Sequence, residues 1–306
     1  MATLLHTRTG EGLRLHTRNV IGRSPAADLQ LNVPEISNEH AVVWWSGDAW
    51  SIRDLASRNG TFVDGKRIPP GTDVAVHDNI TLQFGDDENN KFTLTETSAP
   101  QASAVSLLHD TSIDATGEIL ALPTADNPQV TVYRDKLGHW VGESSRRVAR
   151  LSDLQLLRVA GDVYRVYLPG PSTETVRRRP KPQIDTVKLR ISHSVDEEYV
   201  SLEVVTRSEE TLDLKARAHN YLLLLLARQR QADAEAGGSS AGHGWVYRDQ
   251  LARQMRTDET TVNVQIFRAR KALAEAGIDD AALVVESRVG NRQVRIGVTD
   301  VEIVTV

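Results

Sequence analysis

The chain has 306 residues, 40% hydrophobic and 25% charged, with a formal net charge of −5 at pH 7. That length predicts two or three modules rather than one core, and that balance belongs to a globular protein, not a disordered or fibrous one. The chain contains no cysteine, so disulfides, thiolate nucleophiles and cysteine-based zinc sites are excluded by inventory, which fits a reducing cytoplasm.

The opening Met1-Ala2-Thr3-Leu4-Leu5-His6 has no basic start followed by an apolar stretch, so no export signal is expected. From Leu4 to Glu96, short β-branched and aromatic runs such as Ala41-Val42-Val43-Trp44-Trp45 alternate with turn signals such as Ser46-Gly47-Asp48, which predicts an all-β sandwich over 1–98. Gly10-Glu11-Gly12 reads as a hairpin turn, since it lacks the third glycine and following helix of a dinucleotide fingerprint. Residues 99–118 are expected to be a linker. A small β-rich region over 119–168 follows, with strands such as Val130–Tyr133, Leu156–Val159 and Tyr164–Leu168. Its Trp-centred strand and hairpin echo the first domain too loosely to define a repeat. Residues 169–184 carry Arg177-Arg178-Arg179-Pro180-Lys181-Pro182, a basic linker that its prolines keep out of helix.

The remainder, 185–306, is expected to be α+β. Strands at Val187–Ile191, Val200–Val205 and Thr211–Leu214 precede helices over 216–234, 247–255 and 259–276, and a hairpin turns at Gly290-Asn291. The longest apolar run, Tyr221 to Ala227, is far short of the roughly 20 residues of a spanning helix, so no membrane association is expected. In the third helix Val262, Ile266, Ala269 and Leu273 form one apolar stripe, while Thr261, Val264, Arg268 and Lys271 fall on another face. Alone, that is equally an ordinary amphipathic helix with a solvated basic side.

Three clusters in the first domain are each an ordinary turn by themselves: Gly22-Arg23-Ser24, Ser37-Asn38-Glu39-His40, and Ser57-Arg58-Asn59-Gly60-Thr61 with the later Asp64-Gly65. In this order and spacing, over Leu4 to Thr97, they resemble the forkhead-associated (FHA) domain, whose pattern is G-R, S-x-x-H and S-x-N-G-T with an x-G turn. Asp64 stands where Asn is frequent. The resemblance implies binding of a phosphothreonine peptide by Arg23, Ser37, Asn38, Arg58 and Asn59, with Gly22, His40, Gly60 and Thr61 shaping the loops. Arginine forks and a serine hydroxyl suit a phosphate dianion.

The segment from Val187 to Ile296 resembles the OmpR/PhoB-type winged helix-turn-helix. Asn263 replaces Asp and Gln265 replaces His in the recognition-helix pattern, the wing lacks its second glycine and aromatic residue, and an insertion centres on Gly237-Gly238. This resemblance implies duplex DNA binding, with Val264 and Arg268 at base edges, Thr261, Arg270 and Lys271 at phosphates, and Arg288, Arg292 and Arg295 in the wing. Against it stands the balance of residues 185–306, 16 Lys/Arg to 19 Asp/Glu. Together the modules imply a cytoplasmic bacterial transcription regulator controlled by a phosphothreonine protein and its Ser/Thr kinase, with a homodimer among its assemblies. The alternative is a signalling scaffold whose winged helix contacts protein. No catalytic constellation, metal site or cofactor site is expected: there is no phosphate-cradling loop, HExxH pair or nucleophile elbow.

Overall fold

The computed structural model describes residues 2–170, 181–237, 239–288 and 290–306; the linker arginines Arg177, Arg178 and Arg179 lie outside them. The chain divides into two compact units, Met1–Gln101 with Tyr167–Val176, and Ala102–Val166 with Arg177–Val306.

The first unit is a sandwich of eleven strands: β1 (Thr3–His6), β2 (Gly12–Arg14), β3 (Arg18–Gly22), β4 (Leu29–Gln30), β5 (Ala41–Trp45), β6 (Trp50–Asp54), β7 (Thr61–Val63), β8 (Lys66–Arg67), β9 (Val74–Val76), β10 (Thr81–Phe84) and β11 (Lys91–Thr95). One sheet runs β2-β1-β11-β10-β7-β8 and the other β4-β3-β5-β6-β9. The strands form because their apolar residues recur at the period of the pleat: in β11, Phe92 and Leu94 point inward while Lys91, Thr93 and Thr95 do not. Leu4, Ile21, Trp50, Ile52, Leu82 and Phe84 complete the core. The β7–β8 hairpin turns through Asp64 and Gly65 at φ 47° and 73°. That is the left-handed pair a two-residue hairpin needs, and Asp meets it as Asn would.

In the second unit the segment expected as a linker over 99–118 instead carries β12 (Ser103–Ser106) and β13 (Ser112–Asp114). Then come β14 (Leu120–Pro123), β15 (Pro128–Arg134), β16 (Trp140–Glu143), β17 (Val148–Arg150), β18 (Leu156–Val159) and β19 (Asp162–Tyr167). These strands form sheets ordered β13-β12-β19-β18 and β14-β15-β16-β17. Matching β12, β13 and β14 to β1, β2 and β3, and β15–β19 to β5, β6, β9, β10 and β11, reproduces the first unit's order without β4, β7 and β8.

The backbone agrees with this match. His6 N donates to Glu11 O and Leu15 N to Ala2 O, and Ser106 N to Thr111 O and Ala115 N to Ala102 O, at 2.8–2.9 Å. Before β10 and β18, Asn79 and Leu154 both sit at φ 62°, donating to Leu94 O and Val166 O. The loose echo in the sequence is therefore a repeated sandwich, with residues 144–147 in place of 55–73.

The rest of this unit comprises β20 (Lys188–His193), β21 (Val200–Val205), β22 (Thr211–Ala216), α1 (Ala218–Glu235), β23 (Val246–Tyr247), α2 (Arg248–Gln254), α3 (Glu259–Glu275), β24 (Val285–Ser287), β25 (Gln293–Ile296) and β26 (Asp300–Thr305). β20, β21 and β22 lead in and the C-terminal β26 joins them in the sheet β22-β21-β20-β26, while β23, between α1 and α2, joins the hairpin after α3 in the sheet β23-β25-β24. α3 starts at Asp258, whose carboxylate accepts from Thr261 N at 2.7 Å; such a cap contributes about 1 kcal/mol.

The α3 stripe Val262, Ile266, Ala269 and Leu273 is fully buried, and so is Phe267. Ile119, Tyr133 and Val141 of the repeated sandwich join α1 and α3 in one core, so the middle strands and the C-terminal elements are one packed body. Phe267→Ala is therefore expected to cost about 3–5 kcal/mol. Urea unfolding of the variant against the parent measures it, and a loss under 1 kcal/mol would contradict the shared core.

Candidate functional site

At one end of the first unit, Ser37 joins three loops. Its carbonyl accepts from Arg23 N at 2.9 Å and its hydroxyl accepts from Arg58 N at 3.1 Å. The Ser37 hydroxyl proton therefore stays available to an incoming acceptor. Both arginines are exposed, and neither guanidinium has a carboxylate partner among the described residues. Gly22, which ends β3, lies against the Asn38 carbonyl so closely that a Cβ would overlap it. Asn38 itself is exposed, and its carbonyl accepts from Ser24 N at 3.1 Å.

His40 is fully buried. Its Nδ1 accepts from Ser37 N at 3.3 Å, which leaves Nε2 to donate to Gly60 O at 2.9 Å. Burial lowers its pKa below the ordinary histidine value against the opposing Gly60 bond and Asp54 charge, so it is a neutral tie between loops. Asp54, which ends β6, organises the next loop. Burial opposes its charge, but hydrogen bonds from Ser57 and Thr61 hold its carboxyl below the usual range. It accepts from Ser57 N at 2.9 Å, Ser57 Oγ at 2.5 Å and Thr61 Oγ1 at 2.6 Å.

Ser57 Oγ in turn accepts from Gly60 N at 3.0 Å. Gly60 has φ 84°, with the Arg67 guanidinium where a Cβ would lie. Asn59 donates Nδ2 to Glu35 O at 2.8 Å, fastening this loop to the one that carries Ser37. The structure thus brings together Arg23, Ser37, Asn38, Arg58 and Asn59. Asp54 escaped the sequence reading; its signal is the D-x-x-S spacing with a later threonine.

The face of α3 is different. Arg268 is exposed; Thr261, Val264 and Lys271 are half-buried, Lys271 lying 3.7 Å from Glu275. Burial first, then the Arg217 and Arg268 charges, push His219 down to about 4.

Arg270, expected at DNA phosphate, is instead fully buried. Its guanidinium pairs with Glu143 at 3.0 Å, donates to Val285 O at 2.6 Å and lies 4.1 Å from the centre of the Tyr133 ring. The spacing of α3 places residue 270 one turn beyond 266 and beside 269, on the packed side. A guanidinium is tolerated there only because a carboxylate meets it.

Arg248 of α2, also buried, pairs with the same Glu143 and donates to Asn263 Oδ1 and, at 3.2 Å, to Ser287 Oγ. Of the arginines expected in a wing, Arg292 pairs with Glu259, Arg295 pairs with Glu286 at 2.9 Å, and Arg288 and Arg295 lie 4.2 and 4.5 Å from the Trp245 ring centre. Among the described residues, no group of three or more His, Asp or Glu is placed to hold a metal ion, and no helix is long and apolar enough to cross a membrane.

Residues 19–85 match the model of the FHA domain, so the first unit carries an FHA domain. Mediator of DNA damage checkpoint protein 1 from Mus musculus is 36% identical over 75 residues, 22% of this chain and 4% of that protein. Human kanadaptin is 32% identical over 94 residues, 27% of this chain and 12% of that protein. The match thus spans a small part of the curated relatives' length. Among solved structures, Mycobacterium tuberculosis EmbR in complex with a low-affinity phosphopeptide is 28% identical, covering 33% of this chain and 25% of that one, with a TM-score of 0.29.

Burial raises the Glu143 pKa, but the Arg270 and Arg248 charges and the Tyr133 hydroxyl outweigh it and bring it from 4.5 to about 2. A carboxylate whose folded pKa lies below its unfolded value stabilises fully above the unfolded pKa and loses that contribution as pH falls through the folded one. Stability of the second unit is therefore expected to fall by about 3 kcal/mol between pH 4.5 and about 2. Glu143→Gln should be destabilised at neutral pH and should lose less stability across that window, the remainder coming from other carboxyls held low, Asp162, Asp196, Asp258 and Glu302. Denaturant titrations at stepped pH measure both, and an unchanged slope in the variant would remove Glu143 from this role.

Proposed function

We propose that the chain is a cytoplasmic bacterial transcription regulator. Its FHA domain binds a phosphothreonine protein marked by a Ser/Thr kinase, and its C-terminal elements bind duplex DNA as a winged helix, in a homodimer matched to two half-sites. The observation that carries the phosphate reading is the pair Arg23 and Arg58, anchored through their backbones on Ser37 and left without carboxylates. A dianion entering there meets two cations and a free hydroxyl proton, and charge-assisted hydrogen bonds of this kind contribute roughly 1.5–3 kcal/mol each. Asp54, His40 and Gly60 hold the loops beforehand, which lowers the ordering cost of binding.

The DNA reading is supported by the order strands, α1, α2, α3 and hairpin, and by the exposed Arg268 on the face of α3 opposite its core stripe. A guanidinium there can pair bidentately with guanine. A second reading, a scaffold whose C-terminal elements contact protein, is favoured by the pairing of Arg292 and Arg295 with Glu259 and Glu286, which reduces the positive field of the wing.

Arg23→Ala is expected to weaken binding of a phosphothreonine peptide at least about tenfold with an unchanged unfolding midpoint. Calorimetry with phosphorylated and unphosphorylated peptides checks it, and retained affinity would remove Arg23 from the site. Selection of genomic fragments by the full chain, run beside Arg268→Ala at two salt concentrations, should enrich a motif that the variant loses. Equal loss on random duplex, or no enrichment, favours the scaffold.

A further inference from the structure

The repeated sandwich differs from the first at one edge. In the FHA domain the outer side of β10 is paired with β7. Among the described residues its counterpart β18 pairs only with β19 and ends its sheet, residues 144–147 standing where the first sandwich has the stretch with its extra hairpin. A cleft of about 760 Å3 opens there, walled by β18 on one side and by the Ser144–Arg147 turn and Ala149 on the other. Its size is that of a ligand-binding cleft.

Three features define what fits. Arg146, Arg147 and Arg158 line the cleft, all exposed and none with a carboxylate partner among the described residues, and no aspartate or glutamate lines it. In a chain of net charge −5, this local cationic surface is no average of the composition. Leu156, on the same strand, is 54% exposed. An edge strand also turns alternate N–H and C=O groups outward, ready to pair with another strand. A lone arginine on an edge can serve simply to discourage such pairing, but Arg146 and Arg147 stand on the opposite wall and add their charge to the same space. The cleft has no aromatic side chain on which a base could stack.

We propose that this cleft binds an extended acidic peptide segment of a partner protein. The segment adds as a strand beside β18 with its carboxylates against Arg146, Arg147 and Arg158. Main-chain pairing supplies affinity, and alternate side chains facing the arginines and Leu156 supply specificity. The four residues of β18 offer roughly 13 Å of edge, enough for a short strand. The charges lie at the rim, so they steer encounter and make binding salt-dependent. This interaction is independent of the phosphate site on the first unit.

The test is selection of an unphosphorylated random peptide library on the full chain, in parallel with the triple variant Arg146→Ser, Arg147→Ser, Arg158→Ser. These residues are exposed, and an unchanged unfolding midpoint verifies the fold. The expected result is enrichment of acid-rich peptides that bind the variant at least about tenfold more weakly and protect the amides of residues 156–159 from hydrogen exchange. N-methylation of alternate peptide positions should abolish binding. Enrichment without acidic residues, equal binding to the variant, or protection elsewhere in the chain would overturn the proposal. ATP or a DNA duplex binding in an arginine-dependent way, with no peptide enriched, would overturn it in favour of a nucleotide or nucleic-acid site.

Discussion

One buried carboxylate, Glu143, meets two buried guanidinium groups inside the second unit, Arg248 from α2 and Arg270 from α3. Neither arginine can be there alone, since an uncompensated buried charge costs several kcal/mol. Val285 O, Asn263 and Ser287 accept further guanidinium donors, Arg270 Nε is buried without a hydrogen-bond partner among the described residues, and the Tyr133 hydroxyl donates to the carboxylate. The interaction ties three elements far apart in sequence to one point. It fixes which side of α3 faces the sheet β14-β15-β16-β17, and so which side is left for Arg268. Every functional reading of α3 depends on that orientation.

Asp54 ends β6 as Glu143 ends β16, but on the opposite face: Asp54 alternates with Trp50 and Ile52 on the side of the sandwich core, Glu143 with Val141 on the side that packs against the helices. The shorter carboxylate reaches its own loop and binds Ser57 and Thr61. This shapes the surface that carries Arg58. In the repeat the stretch between β16 and β17 is only four residues, 144–147, and Glu143, on the face that packs against the helices, meets α2 and α3. The two strand ends thus carry carboxylates on opposite faces, one shaping a ligand surface and the other clamping the helices. The short 144–147 connection supplies no counterpart of β7 and β8, and β18 ends its sheet beside the basic cleft.

Much of this was legible in the chain. Alternation in strands such as Lys91–Thr95 and the stripe Val262, Ile266, Ala269, Leu273 are local signals, because the side-chain period of a strand or helix depends only on its own backbone. The helices expected over 216–234, 247–255 and 259–276 appear as Ala218–Glu235, Arg248–Gln254 and Glu259–Glu275. Each of the three FHA clusters is a turn whose local geometry its own residues demand, and the strand order of the sandwich brings the three into one loop set. By contrast, β26 lies outside the strands expected from the sequence, although its β-branched Val301, Ile303 and Val304 favour a strand. It is a parallel edge strand whose pairing with β20 joins residues over a hundred positions apart. The strands at 103–106 and 112–114 hid in small polar residues, which become strands through their sheet partners.

Arg270 marks the boundary between the two kinds of information. By itself the sequence determined the FHA loops, the helix and strand periods, the absence of cysteine chemistry and the presence of a basic face on α3. Each follows from residue types at short spacing. Only the tertiary structure decided which basic residues are open to a ligand: Arg23, Arg58 and Arg268 are, whereas Arg270 and Arg248 are sealed against Glu143. The physical reason is that the free energy of a charge depends on its solvation and on carboxylates brought near by folding. Neither is a property of the residue's neighbours in the chain.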